Sequence, residues 1–159
     1  TDLQGKLESR FKVTKLRQAL LHAEKEFQFD HVLIDTPPAI NFFSMSALIA
    51  AESVLVPFDC DSFSRAGLQN VVDLIEEIGA DHELDLKLEG VIVNQFHKQA
   101  RLPRQLIEDI QKEGLPVLTP FIGTSVVMRE SRSALSPLNH FRPSHKLSHD
   151  FLSLAEQLK

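Results

Sequence analysis

The sequence predicts an α/β fold with a doubly wound, mostly parallel sheet. Short apolar runs alternate with amphipathic segments of helical periodicity, as expected for strands joined by crossover helices. The apolar runs are continuous rather than alternating with polar residues, which is typical of parallel strands covered on both faces. They end at prolines or polar side chains, at the strand ends where parallel sheets bind their ligands.

Length and composition restrict the class of protein. The 159 residues, of which 43% are hydrophobic and 25% charged, match a single α/β domain over 1–159. The net charge of -5 excludes a wholly basic surface but leaves a local basic patch open. The single cysteine, Cys60, cannot form an internal disulfide. With neither a signal-peptide pattern nor a membrane-spanning run in the sequence, we expect a cytoplasmic location and no membrane.

The first predicted strand is the stretch around which the others are placed. Phe29-Asp30-His31 leads into Val32-Leu33-Ile34, and the strand is predicted to end at Asp35 because Pro37 and Pro38 cannot continue a sheet ladder. An amphipathic helix from Lys15 precedes it. Asp35 therefore either caps the following turn or binds a ligand at the strand end.

The remaining elements follow from periodicity and from helix start and stop signals. Apolar residues at helical spacing predict five further helices. They are expected at Phe42 to Ala51, between a cap at Ser64 and a stop at Gly79, with Pro103 in the first turn and a stop at Gly114, at Ser125 to Ser133, and at the C-terminus with a stripe of Leu147, Phe151, Leu154 and Leu158. Further strands are predicted at Ser53 to Pro57, Leu88 to Asn94 and Leu115 to Ile122, and a loop at Pro137 to Ser144.

Two kinds of polar group follow the predicted strands. Asp59 and Asp61 follow the second strand and Asn94 ends the third. Three cations, Lys98, Arg101 and Arg104, lie in the next loop and helix start, and Arg129 lies in the corresponding stretch after the fourth strand. Cations at a helix N-terminus oppose its dipole, so an external anion such as a nucleic-acid phosphate would compensate them.

A phosphate cradle is missing from this sequence. Nucleotide sites usually use a glycine-rich turn between a strand and a helix, because its backbone N–H groups bind the phosphates. The six glycines occur singly, and no G-x-x-x-x-G-K-[ST] pattern is present. We interpret Cys60 as a small buried apolar side chain rather than a nucleophile.

Three stretches of the sequence together match a known pattern: residues 29–38 (FDHVLIDTPP), 47–57 (ALIAAESVLVP) and 89–94 (EGVIVN). With them the chain resembles the ParA family of partition ATPases, deviant P-loop proteins that include MinD. Residues 29–38 look like the Walker B and switch II region of that family. The resemblance covers nearly the whole chain as the C-terminal two thirds of such an ATPase. It implies a P-loop NTPase-like fold whose P-loop strand and first switch are expected upstream of Thr1.

The resemblance also implies roles for particular residues. Asp35 would be catalytic and would hold Mg²⁺ through water, the turn Thr36-Pro37-Pro38 would respond to the γ-phosphate of ATP, and Asn94 would contact adenine. Lys98, Arg101, Arg104 and Arg129 lie near stretches that contact DNA without sequence specificity in such proteins. The chain departs from the family pattern at Ile122-Gly123, where Ile-Pro is usual.

The resulting functional hypothesis is a ParA-like ATPase for plasmid or chromosome partition or cargo positioning. It would bind ATP and Mg²⁺, form a homodimer, bind nonspecific DNA on the nucleoid, and respond to a ParB-like partner protein. Without the P-loop, this chain alone is expected to be inactive. The alternatives are a nucleotide-free protein interaction module derived from the same fold and a MinD-like membrane positioner. We expect either that the gene extends upstream or that the orphan strand edges find another partner.

Overall fold

The computed structural model describes residues 12–158, which form two compact units. The first unit contains residues 12–54 and Val72–Lys87, and the second contains Leu55–Val71 and residues 88–158. The prediction of one domain over 1–159 stays a prediction.

The described elements alternate between helices and strands, as the periodicity predicts. A short 3-10 turn, Lys12–Thr14, leads into α1 (Lys15–Glu26), α2 (Phe42–Ala50), β1 (Ser53–Phe58), α3 (Ser62–His82), β2 (Lys87–Val93), α4 (Arg101–Lys112), β3 (Val117–Leu118), α5 (Val126–Ser133), α6 (Leu138–Phe141) and α7 (Lys146–Glu156). Helix α6 lies inside the stretch predicted as a loop, and β3 is shorter than the predicted fourth strand.

The three described strands form a parallel sheet in the order β1-β2-β3. Strands β2 and β3 pair in parallel, with Val91 opposite Val117. Gly90 permits this close pairing, because a Cβ there would lie 2.5 Å from Cγ of Leu118. All carboxyl ends therefore lie at one edge of the sheet, and the predicted α/β fold class with a parallel sheet is confirmed.

The predicted strand ending at Asp35 is wrong for this structure. Residues 28–37 have no regular secondary structure and are exposed, with Leu33 exposed by 88%. A strand requires a hydrogen-bonded neighbour, and none of the described segments pairs with this one. The apolar pattern is present without the pairing that would bury it.

The first unit is built on α1 and α2, which pack against each other. Helix α2 begins with a capping box: the Asn41 side chain accepts from the backbone N–H groups of Phe43 and Ser44, and the Ser44 hydroxyl accepts from the N–H of Asn41. The Arg17 guanidinium donates to the carbonyl oxygen of Ile49 at 3.2 Å. This bond ties α1 to the buried end of α2.

Both predicted ends of α3 are wrong. The N-terminal cap is Asp61 rather than Ser64, since the Ser64 N–H donates to the Asp61 carboxylate at 2.6 Å. Gly79 lies inside the helix, which continues to His82. The helix ends in a Schellman motif: Glu83 has a φ of 54°, and the Leu84 N–H donates to the carbonyl oxygen of Gly79 at 2.9 Å.

Gly114 stops helix α4 as predicted, directly after the C-cap residue Glu113. This glycine has a φ of 83°, and the N–H of Leu115 donates to the carbonyl oxygen of Ile110 at 3.3 Å in the same Schellman geometry. Ile107 and Ile110 are buried, which confirms the predicted apolar face. Glycine reaches this left-handed conformation without the steric cost that a Cβ imposes.

The core of the second unit includes two residues of the C-terminal helix, α7. Ile122, Leu138, Leu147 and Leu154 form a buried cluster. Phe151 was predicted to belong to the buried stripe of α7, but it is 40% exposed. Asp150 is buried instead, and it forms an ion pair with Lys146 one turn earlier.

Candidate functional site

Backbone hydrogen bonds align the carboxyl ends of the three strands in the second unit. The N–H of Asn94 donates to the carbonyl oxygen of Phe58 at 2.8 Å, and that of Ile122 donates to the carbonyl oxygen of Val93 at 2.8 Å. Phe58 is fully buried. The residues that follow β1 and β2 are therefore held side by side.

The Asp59 carboxylate joins two of these strand ends. Its Oδ1 accepts from Nδ2 of Asn94 at 2.9 Å, and its Oδ2 accepts from Nε2 of Gln95 at 2.8 Å. Cys60 and Gln95 both have a positive φ, 59° and 51°, which turns the chain sharply beside this contact. Left-handed backbone at non-glycine residues costs free energy and is concentrated at functional sites. We call Asp59, Asn94 and Gln95 the amide clamp.

Cys60 lies directly after the clamp and is buried, with 5% of its surface exposed. Burial, together with the negative charges of Asp59 and Asp61, raises the pKa of its thiol to about 11. The thiol is therefore protonated at neutral pH, and only thiolates are effective nucleophiles. The interpretation of Cys60 as a buried apolar side chain is confirmed.

Asp61 has a different task from Asp59. Hydrogen bonds from Ser64, chiefly from its backbone N–H, hold the pKa of the Asp61 carboxyl below its ordinary value of 3.8. The side chain is thus committed to capping α3. Of the two aspartates predicted to line this edge, only Asp59 reaches a neighbouring strand.

The residues assigned to Mg²⁺ and the γ-phosphate lie in the first unit. Asp35, Thr36, Pro37 and Pro38 are all exposed and lie outside helices and strands. Within residues 12–158 the Asp35 carboxylate accepts no hydrogen bond, so it caps no turn there. The described part of the chain also contains no group of three or more His, Cys, Asp or Glu side chains placed to hold a metal.

Three of the predicted DNA-binding residues form a basic turn at the start of α4. Lys98, Arg101 and Arg104 are exposed, and the Arg104 guanidinium donates to the carbonyl oxygen of Lys98. The N-cap residue Ala100 supplies no side-chain hydrogen bond, and the first turn contains no acidic residue. An open groove of about 480 Å³ runs along the helix from this turn towards Glu108 and other polar residues.

Arg129 lies on α5, the helix that follows β3. The loops leading to α4 and α5 are neighbours, because Phe96 forms a parallel bridge with Gly123. The rings of Phe96 and Phe121 also pack with their centroids 5.0 Å apart. Arg129 is exposed and lies on the next helix along the chain after the one that begins at the basic turn.

A parallel α/β sheet with polar side chains along its carboxyl edge is the arrangement that ligand-binding and nucleotide-binding α/β proteins use. The chain belongs to the ParA-like P-loop ATPase family, and the family model described as "AAA domain" matches residues 2–88. The curated proteins that match this chain include chromosome partitioning proteins ParA and the sporulation initiation inhibitor protein Soj of Bacillus subtilis.

Individual relatives agree with this assignment. The chromosome partitioning protein ParA of Myxococcus xanthus is 28% identical over 148 residues, 91% of this chain and 50% of that protein. The structure of apo McdA from Cyanothece shares the fold with a TM-score of 0.83 and 20% identity, over 99% of this chain and 64% of that one.

Cobyrinic acid a,c-diamide synthase from Mycobacterium smegmatis, solved with a bound ATP analogue and magnesium, has a TM-score of 0.67 and 28% identity. This match covers 90% of this chain and 60% of that one. Nucleotide and Mg²⁺ are therefore used within the family. The chain spans about half the length of the curated relatives it matches. No helix in residues 12–158 is both long and apolar enough to cross a membrane.

Proposed function

We propose that the chain is the C-terminal portion of a ParA-like ATPase that positions DNA or another large cargo in the cytoplasm. The observation that carries this proposal is the carboxyl edge of the sheet. There Asn94 and Gln95 of the amide clamp and the basic turn all follow the same strand, β2. A group suited to a purine base and a group suited to phosphate anions therefore lie within one loop and helix start.

The residues present fit part of a nucleotide. Asn94 has an amide that suits the edge of adenine, and Asp35 would hold Mg²⁺ through water, beside the turn Thr36-Pro37-Pro38. The printed sequence contains no glycine-rich phosphate cradle, so the P-loop would come from sequence outside this chain. ATP with Mg²⁺, when bound, supplies the phosphoanhydride bond whose hydrolysis drives the cycle.

The basic turn supports nonspecific DNA binding. The first N–H groups of α4 have no side-chain cap, and a helix N-terminus attracts anions through these groups and through its dipole. Three exposed cations strengthen that attraction, and phosphates of a DNA backbone are anions that require no sequence recognition. Arg129, after the neighbouring strand, would extend the same contact.

The remaining parts of the cycle belong to the same proposal. The protein would dimerise with ATP bound, hold the nucleoid nonspecifically, and be released when a ParB-like partner stimulates hydrolysis. No membrane association is proposed.

Two experiments test the ATPase. The first is to sequence the gene upstream of Thr1, where a glycine-rich motif ending in lysine is expected within about one domain's length. The second is to titrate ATP with Mg²⁺ into the full-length protein and measure saturable binding by calorimetry. The absence of such a motif or of any binding would overturn the proposal.

A specific observation favours a second candidate, a nucleotide-free interaction module. In a segment that pairs with no strand among residues 12–158, four apolar side chains are each more than half exposed: Phe29, Val32, Leu33 and Ile40. Such a segment can pair with an incoming strand of another protein. Saturable ATP binding by the chain of residues 1–159 alone would count against the module.

A further inference from the structure

We infer that Asp59 is a positioning residue that fixes the amide of Asn94 in the orientation that accepts adenine and rejects guanine. The inference rests on the proposed function, in which Asn94 contacts the base. It goes further by assigning base selectivity to a carboxylate on the neighbouring strand.

The orientation follows from the chemistry of the contact. A carboxylate can only accept hydrogen bonds, so the nitrogen of the Asn94 amide must face Asp59. The distance from Nδ2 to Oδ1 of Asp59 is 2.9 Å. The Asn94 carbonyl oxygen then points away from Asp59, and no donor within residues 12–158 reaches it. The half-buried side chain thus offers one free acceptor and one remaining N–H donor.

That pair of groups matches adenine. Adenine presents the N6 amino donor beside the N7 acceptor, whereas guanine presents two acceptors, O6 and N7, at the same edge. An unrestrained amide could rotate and turn its NH₂ towards O6. The contact with Asp59 opposes that rotation, because it would bring two oxygens together.

The clamp itself is restrained from both sides. Gln95 donates to the second carboxylate oxygen at 2.8 Å, which hinders rotation of the Asp59 side chain. The backbone bond from Asn94 to Phe58, 2.8 Å long, fixes the separation of the two strands. Left-handed backbone at Cys60 and Gln95 turns the chain sharply beside the clamp, a conformation that costs free energy at non-glycine residues.

The test compares Asp59→Ala with the parent in the full-length protein. Dissociation constants for ATPγS and GTPγS with Mg²⁺ are measured by calorimetry, and their ratio is the readout. We expect the parent to prefer ATPγS and the variant to lose about tenfold of that preference, within the range by which an amide discriminates between purines. Asp61→Asn is the matched control: it removes the same charge two residues away, keeps a capping side chain, and should preserve the ratio.

A second measurement needs no nucleotide. In an NMR spectrum the side-chain amide signals of both Asn94 and Gln95 should move in Asp59→Ala, because each amide loses its carboxylate acceptor, and they should stay in place in Asp61→Asn. An unchanged ratio in Asp59→Ala, or amide signals that ignore Asp59, would overturn the positioning role. If the parent binds neither nucleotide, the ATPase proposal fails, and the selectivity that depends on it fails with it.

Discussion

Removing the two arginines of the basic turn should weaken nonspecific DNA binding and flatten its dependence on salt. Arg101 and Arg104 are exposed and lie at the uncapped end of α4. Each phosphate neutralised by a cation contributes about 0.9 to the slope of log K against log salt concentration. Arg101→Ala with Arg104→Ala should therefore lower the slope by about 1.8 if each arginine contacts one phosphate.

This slope converts into a measurable difference in affinity. Between about 50 and 200 mM salt the parent should lose about tenfold more affinity than the double variant. The Arg104 guanidinium also holds the carbonyl oxygen of Lys98, so Arg104→Ala disturbs the loop as well as removing a charge. Alone, it should reduce affinity more than Arg101→Ala does.

The assay is fluorescence anisotropy with a labelled duplex of arbitrary sequence, using the full-length protein with ATP and Mg²⁺. Lys112→Ala is the matched control, because Lys112 lies at the other end of α4 and is paired with Asp109 at 3.4 Å. It should leave the slope unchanged. The reasoning is refuted if the double variant keeps the parental slope. It is also refuted if Lys112→Ala lowers the slope by as much as each arginine substitution does.

Three further predictions concern stability and reactivity. Glu83→Gly should raise the free energy of unfolding by about 1 kcal/mol, and Gly114→Ala should lower it by a similar amount, since both positions need left-handed backbone. Chemical denaturation measures both changes. If both variants changed the free energy of unfolding in the same direction, the reasoning would be wrong. Cys60 should resist Ellman's reagent at pH 8 in the folded protein and react after unfolding. Because its thiol pKa is raised from 9.0 to about 11, its contribution to stability should be complete below pH 9 and lost as the pH rises through 11, and Cys60→Ala should remove this loss. Leu33→Glu should destabilise the full-length protein by about 3 kcal/mol if residues 28–37 become a buried strand there, as the ATPase proposal requires. Leu135→Glu is the control, because Leu135 is 94% exposed. If the two variants were equally stable, the interaction module would be favoured.

Local signals in the sequence predicted those elements whose formation depends on local contacts. The helix ending at Gly114 is an example, because the glycine itself permits the left-handed turn that ends it. Gly79 carries the same signal but lies inside α3, where Glu83 takes the left-handed conformation instead. A glycine permits such a turn without requiring it, so the end of α3 could not be read from composition.

The stretch ending at Asp35 shows the limit for strands. Its apolar residues meet every local criterion for a buried strand, yet Leu33 is almost fully exposed. Burial of a strand depends on a neighbour distant in sequence, which the run of residues does not specify. The structure therefore leaves the role of Asp35 as a prediction carried by the resemblance alone.

The amide clamp depends on register in the same way. Asn94 could be predicted as a site residue from its position at a strand end. The direction of its side-chain amide is set by Asp59, 35 residues away in sequence. That pairing exists only because the N–H of Asn94 meets the carbonyl oxygen of Phe58. A shift of β2 by one residue against β1 would move the side chains of β2 to the other face of the sheet and separate Asn94 from Asp59. The orientation of the Asn94 amide is thus a property of strand register, and a sequence motif confined to β2 cannot encode it.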